Sequence, residues 1–181
     1  MPNITKQQHV FISTGNPDTM NDSSMIRPGE LGMCFDWNDK SYQIVKVDSG
    51  ATVGPTVGAV AANQLAFWKD RSTYLVTNDK RFASLGGVAN SFANNVAGVF
   101  RVAATGGYYC CVLKKGYNIA AAATAGTTAG ELVVADTTAD TAYCDGPISV
   151  GTAITYSVLG VCKTSASANV AYVNFDIPDI P

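Results

Sequence analysis

Charge is what this chain has least of. Only 14% of its 181 residues are charged, against about a quarter in an ordinary soluble domain. The twelve Lys and Arg stand singly or in pairs such as Lys80-Arg81 and Lys114-Lys115. Phosphate binding needs a concentrated basic face, so nucleic acid is not an expected partner. Histidine occurs once, as His9 in a polar segment. A Ser-His-Asp or Cys-His mechanism would therefore have one base, on an arm ill suited to hold it within reach of a proton. The five cysteines, Cys34, Cys110, Cys111, Cys144 and Cys162, contain no Cys-x-x-Cys pair, which leaves tetrahedral zinc without its usual spacing. An odd count with no leader pattern ahead of it predicts reduced, buried thiols. Apolar runs such as Ile119–Ala123 fall far short of the ~20 residues of a membrane helix. Met1–Lys6 shows no charged-then-apolar leader pattern, so no membrane partner is expected and assembly in the cytoplasm is the default. Phosphate loops, dinucleotide fingerprints and nucleophile elbows are also missing. Asp36-Trp-Asn-Asp39 departs from a calcium loop at Lys40. No catalytic residue, metal or cofactor is expected.

What the chain does have is apolar bulk, 47% of residues, and 17 glycines, enough for a core broken by many turns. Residues 1–29 are polar and interrupted by Gly15, Pro17 and Pro28, and read as an extended amino-terminal arm. A hairpin-rich region follows at 30–80. Its strongest signal is Leu31–Trp37, a short Asn38-Asp39-Lys40 turn, then Ser41–Val47. In the second run Tyr42, Ile44 and Lys46 face one way and Gln43, Val45 and Val47 the other. Leu65–Lys69, the charged turn Asp70-Arg71-Ser72 and Thr73–Thr77 predict a second hairpin. Residues 78–95 read as a long connection with one helical turn at most.

Residues 96–175 carry an internal echo. Val96-Ala-Gly-Val99 leads through Ala103-Ala104 to Tyr109-Cys-Cys-Val112, and Val158-Leu-Gly-Val161 leads through Ser165-Ala166 to Tyr172-Val-Asn-Phe175. In each copy a strand containing Gly, the mark of a bulge or close backbone approach, precedes an aromatic-led strand. Ala120–Gly130 is interrupted by Thr and Gly and has no polar stripe, so strand and loop are expected there rather than helix. Prolines make 176–181 a short extended tail. Together these features predict an all-β molecule: a compact β-roll, barrel or sandwich with an extended amino-terminal arm and a short carboxy-terminal tail.

Val96–Tyr108, Gly130–Val134 and Val158–Ala166 together resemble bacteriophage capsid decoration, or cement, proteins of the small β-roll type. Leu65–Arg71 with Tyr74–Thr77 also looks like phage head proteins. The resemblance implies a virion protein on the capsid surface, bound to the major capsid protein, self-associated as a trimer, assembled in the host cytoplasm and without catalytic residues.

Phe67 and Trp68, beside Lys69-Asp70-Arg71, are candidate interface residues, with a buried hairpin as the plain alternative. Ile177 and Ile180, separated by proline, are candidate docking pegs. A second function class is a tail or fibre module that binds a host receptor or glycan through Trp37 or Trp68. A third is an enzyme whose acids meet only in the fold.

Overall fold

A computed structural model of the protein describes residues 16–23, 29–53, 56–82, 95–136, 148–150 and 158–177. The strands are β1 (Asn21–Asp22), β2 (Cys34–Trp37), β3 (Lys40–Val47), β4 (Thr52–Val53), β5 (Thr56–Val57), β6 (Ala59–Val60), β7 (Leu65–Asp70) and β8 (Leu75–Thr77). They continue as β9 (Val96–Phe100), β10 (Ala104–Thr105), β11 (Tyr109–Ala122), β12 (Leu132–Ala135), β13 (Ile148–Val150), β14 (Gly160–Cys162) and β15 (Val170–Asp176). Pro17–Thr19 and Lys80–Phe82 form single 3-10 turns. The chain is all-β, with no α-helix among the described residues.

Both expected hairpins are present. Asn38 and Asp39 take φ of 48° and 59° between β2 and β3, the left-handed pair that a two-residue turn requires and that Asn and Asp tolerate best. The β7–β8 turn is closed by Asp70, whose carboxylate accepts from the Ser72 amide at 2.9 Å and the Thr73 hydroxyl at 2.8 Å.

The pairings close on themselves. β3 pairs β11, β11 pairs β9, β9 pairs β7, β7 pairs β8, and β8 returns to β3 in parallel. This five-strand ring encloses Val45, Val47, Ala66, Trp68, Val76, Ala97, Phe100, Cys110 and Val112, with Ala51, Val60 and Ala104 packed onto them. Alternation along each strand sends the other side chains outward: Tyr42, Ile44, Leu65, Phe67, Val99, Cys111 and Leu113. These meet Ile119, Val133, Ile148, Leu159, Val173 and Phe175 in a second core. Burying each such side chain contributes roughly 1.5–3 kcal/mol, so both layers are needed to hold the outer face of the ring.

β11 joins the two cores. One edge takes β3 along Tyr109–Lys115, while the other takes β1, β9 and then β15 in succession. Beyond Lys115, β15 is its one partner strand among the described residues, and β14, β12 and β13 extend that sheet. The Ala120–Ala122 run is strand, as its missing polar stripe predicted.

Both copies of the echo are antiparallel pairs, β9–β11 and β14–β15, and both glycines mark close approaches. A Cβ on Gly98 would lie 2.7 Å from the Leu113 carbonyl oxygen, and one on Gly160 would collide with the Asn174 carbonyl. The registers differ by two residues. Val99 faces Leu113, four beyond Tyr109, whereas Val161 faces Asn174, two beyond Tyr172.

Two departures concern the ends. Residues 16–23 of the expected arm are docked: Asn21 and Asp22 pair with Cys110 and Tyr109, and Met20 is buried. Pro17 is buried as well; two apolar residues among polar neighbours have no period to reveal them, yet a single Met fills a core gap well. At the other end Ile177 is buried, its amide donating to the Lys114 carbonyl at 2.9 Å. Asp176, expected in the tail, ends β15, while Ile180, His9 and the rest of residues 1–15, 24–28 and 178–181 lie outside the described residues.

Candidate functional site

The β2–β3 turn and a bulge in β11 stand side by side and frame a groove of about 600 Å³. Trp37, the last residue of β2, is 42% exposed there. In β11 the register with β15 slips between Gly116 and Ile119, and Asn118 takes a φ of 53°. The Asn118 amide donates to Asn174 Oδ1 at 2.9 Å. A Cβ on Gly116 would be 3.3 Å from Lys40 Cγ, so the bulge packs under the hairpin end. Because Gly116 pairs with the core-facing Phe175, alternation turns Tyr117 outward, 71% exposed, onto the same groove as Trp37. Asp36, Asn38, Asp39 and Lys115 supply its polar rim. Asp36 Oδ1 accepts from Ser41 Oγ at 2.5 Å, and Lys115 Nζ lies 3.5 Å from Asp176 Oδ2. A smaller cleft of about 310 Å³ adjoins it, lined by Cys34, Phe35, Tyr42 and Ile177 among others.

Nearby, Asp18 ties the docked segment 16–23 to the body. Its carboxylate accepts from Lys40 Nζ at 3.1 Å and the Tyr42 hydroxyl at 2.9 Å, with Arg101 Nε at 3.4 Å. Burial works to raise its pKa, but these hydrogen bonds and positive charges outweigh it and hold the carboxyl below its ordinary 3.8. Burial, then the hydrogen bond to Asp18, pushes the Tyr42 phenol well above its ordinary range.

A third surface is the outer face of β12, β14 and β15. Leu132 pairs with Val161, and Val161 pairs with Asn174, two residues from Tyr172 on the same strand face. Diagonal neighbours of this kind lie within reach of an aromatic side chain. Leu132, Val161 and Tyr172 are 40%, 41% and 44% exposed.

The candidate interface residues fall elsewhere. Phe67 and Trp68 point to opposite faces of β7, Phe67 into the second core and Trp68 into the ring, where its indole meets Tyr74 edge-on at 6.4 Å. Neither presents a surface to a partner, because both faces of β7 are covered and alternation sends bulk into each. Ile177 is likewise in the core. Of the two tryptophans proposed as a platform, Trp37 alone is at the surface. Tyr117 went unnoticed in the sequence, although Gly116 within an apolar strand was a bulge signal.

Cys110 and Cys111 face different cores, as neighbours on a strand must, and Cys34 is exposed. Burial pushes the Cys111 thiol up to about 12 and Cys110 higher still. Among the described residues no three His, Cys, Asp or Glu side chains stand together as metal ligands, and no helix is long and apolar enough to cross a membrane.

No protein-family model matches the chain, and no curated protein matches it. Among solved structures it is similar to the N base of the head fiber gp8.5 of bacteriophage phi29, with a TM-score of 0.43 and 14% identity. That likeness covers 77% of this chain and 97% of the fiber base.

Proposed function

We propose that this chain is a non-enzymatic bacteriophage virion protein that decorates the capsid and stabilises it by binding across major capsid subunits, self-associated as a trimer. The observation that carries the reading is the outer face of β12, β14 and β15, where Leu132, Val161 and Tyr172 are exposed along one face in a strip that Asn174 interrupts opposite Val161. The strip lies partly in Val158–Ala166, one of the segments that resemble capsid decoration proteins. An apolar strip on a rigid sheet costs water contact unless a neighbouring subunit covers it. The low charge of the chain lessens the desolvation cost of such contacts. Interfaces of ordinary size bury about 1,600 Å² in total, and many copies over one shell sum modest individual affinities into a large resistance to internal pressure.

The test is co-sedimentation with preassembled shells of the phage that encodes the chain. The unaltered chain should pellet with shells. Val161→Lys and Tyr172→Asp, both at exposed positions, should leave the circular dichroism spectrum intact and stay in the supernatant. Failure of the unaltered, folded chain to pellet would remove the proposal.

A further inference from the structure

We infer that the groove between the β2–β3 turn and the β11 bulge is a binding site for a neutral saccharide. This goes beyond shell binding and uses a different surface. A pyranose ring has an apolar C–H face and a rim of hydroxyls, so a protein that grips it needs an exposed flat ring and short polar side chains beside it. Trp37 and Tyr117 supply the rings, and both are held at the surface by backbone geometry rather than left there by chance. The left-handed Asn38-Asp39 turn ends β2 directly after Trp37, and Gly116, paired with the core-facing Phe175, leaves Tyr117 on the outer face of β11, with the slip before Ile119 returning the strand to the core. Asp36, Asn38 and Asp39 are exposed around them. Two carboxylates and one amide accept hydroxyl hydrogens, and a carboxylate can take two neighbouring hydroxyls at once. Asp36 is already oriented by Ser41, which leaves its second oxygen able to accept.

Charge selects the class of sugar. Asp36 and Asp39 bring two negative charges, and Lys115, the one cation on the rim among the described residues, is engaged with Asp176. An anionic glycan would be repelled, while a neutral one meets acceptors for its hydroxyls. The groove is shallow and open, so single-site affinity belongs in the millimolar range, and many copies on one particle would raise avidity without new contacts.

The experiment titrates the isolated full chain with maltohexaose, cellohexaose and chitohexaose, and with a hyaluronan hexasaccharide as the anionic probe. Tryptophan fluorescence reads the result, because Trp37 is exposed and Trp68 is buried in the ring. At least one neutral hexasaccharide should change the emission with saturation below about 20 mM, some twentyfold above a 1 mM dissociation constant. Trp37→Phe should remove most of that change. Calorimetry should show Tyr117→Ala and Asp36→Asn binding about tenfold more weakly, as expected for loss of one stacked ring or one charged acceptor. Melting temperatures should stay near that of the unaltered chain, since all three positions are exposed. The inference is overturned if no neutral probe binds by 20 mM, if Tyr117→Ala and Asp36→Asn bind unchanged, or if hyaluronan binds more tightly. Shell co-sedimentation is measured separately, so a chain that pellets with shells and ignores all four probes loses this inference and keeps the other.

Discussion

Asp18 shows how one side chain decides whether a polar segment is arm or body. Residues 16–23 supply two buried apolar side chains, Pro17 and Met20, and a two-residue strand. Fixing eight residues costs roughly 1–2 kcal/mol each in backbone entropy, so the Asp18 contacts with Lys40, Tyr42 and Arg101 are needed to hold the segment down. The pH dependence has a definite sign. Because the folded carboxyl titrates below its ordinary 3.8, its stabilisation is complete above that value and is lost as pH falls through the lower folded one. Tyr42 behaves in the opposite sense. Its stabilisation is complete below about 10, its ordinary pKa, and is lost only as pH rises through the raised value. Asp18→Asn should therefore cost about 1–2 kcal/mol at pH 7, a loss of charge-assisted hydrogen bonds. Urea melts at pH 7 and pH 2 check it: the gap to the unaltered chain should narrow at the lower pH. An equal gap at both would show that the contacts contribute through packing alone.

At the scale of elements, the strands that could be read from the sequence were those bounded by their own turn chemistry. Asn38-Asp39 and Asp70-Arg71-Ser72 fix two hairpins locally, and alternation in β3 assigns Tyr42, Ile44 and Val45 to faces without any knowledge of the partners. Gly98 and Gly160 announced close approaches for the same local reason. What stayed hidden depends on chain separated by tens of residues. Nothing within β7 says that both its faces are covered, so Phe67 and Trp68 looked available. Nothing near Tyr117 says that the β2–β3 turn lies beside it, and the docking of Met20 depends on Cys111, whose thiol lies 3.4 Å from the Met20 sulfur. The β2–β3 turn offers a direct check on the local part of this argument. Asp39 holds a φ of 59°, where Gly has no steric cost and Asn-Gly is the preferred pair. Asp39→Gly should raise stability by about 0.5 kcal/mol, read as a higher denaturation midpoint with an unchanged slope. A lower midpoint would mean that the Asp39 side chain holds the turn through contacts of its own.

For the whole molecule, the question is whether the ring and the second core are one cooperative unit or two. The answer follows from β11, which contributes Cys110 and Val112 to one core and Cys111, Leu113, Ile119 and Ala121 to the other. Outward residues of β3, β7 and β9 also lie in the second core, so the ring cannot open without exposing it. A small domain joined in this way should unfold in one step. Val173 lies in β15, outside the ring, and is fully buried, whereas Trp68 lies inside the ring and reports on it by fluorescence. Val173→Ala should cost about 1–3 kcal/mol in lost contacts and cavity. It should shift the midpoint seen by Trp68 fluorescence by the same amount as the midpoint seen by far-ultraviolet circular dichroism. Two separate midpoints, with Trp68 unmoved, would mean that the ring stands alone and that β15 and its neighbours are an attached layer. A single midpoint would fit the proposed shell binding with a rigid body, because stress on the exposed strip of β14 and β15 then has to break both cores together.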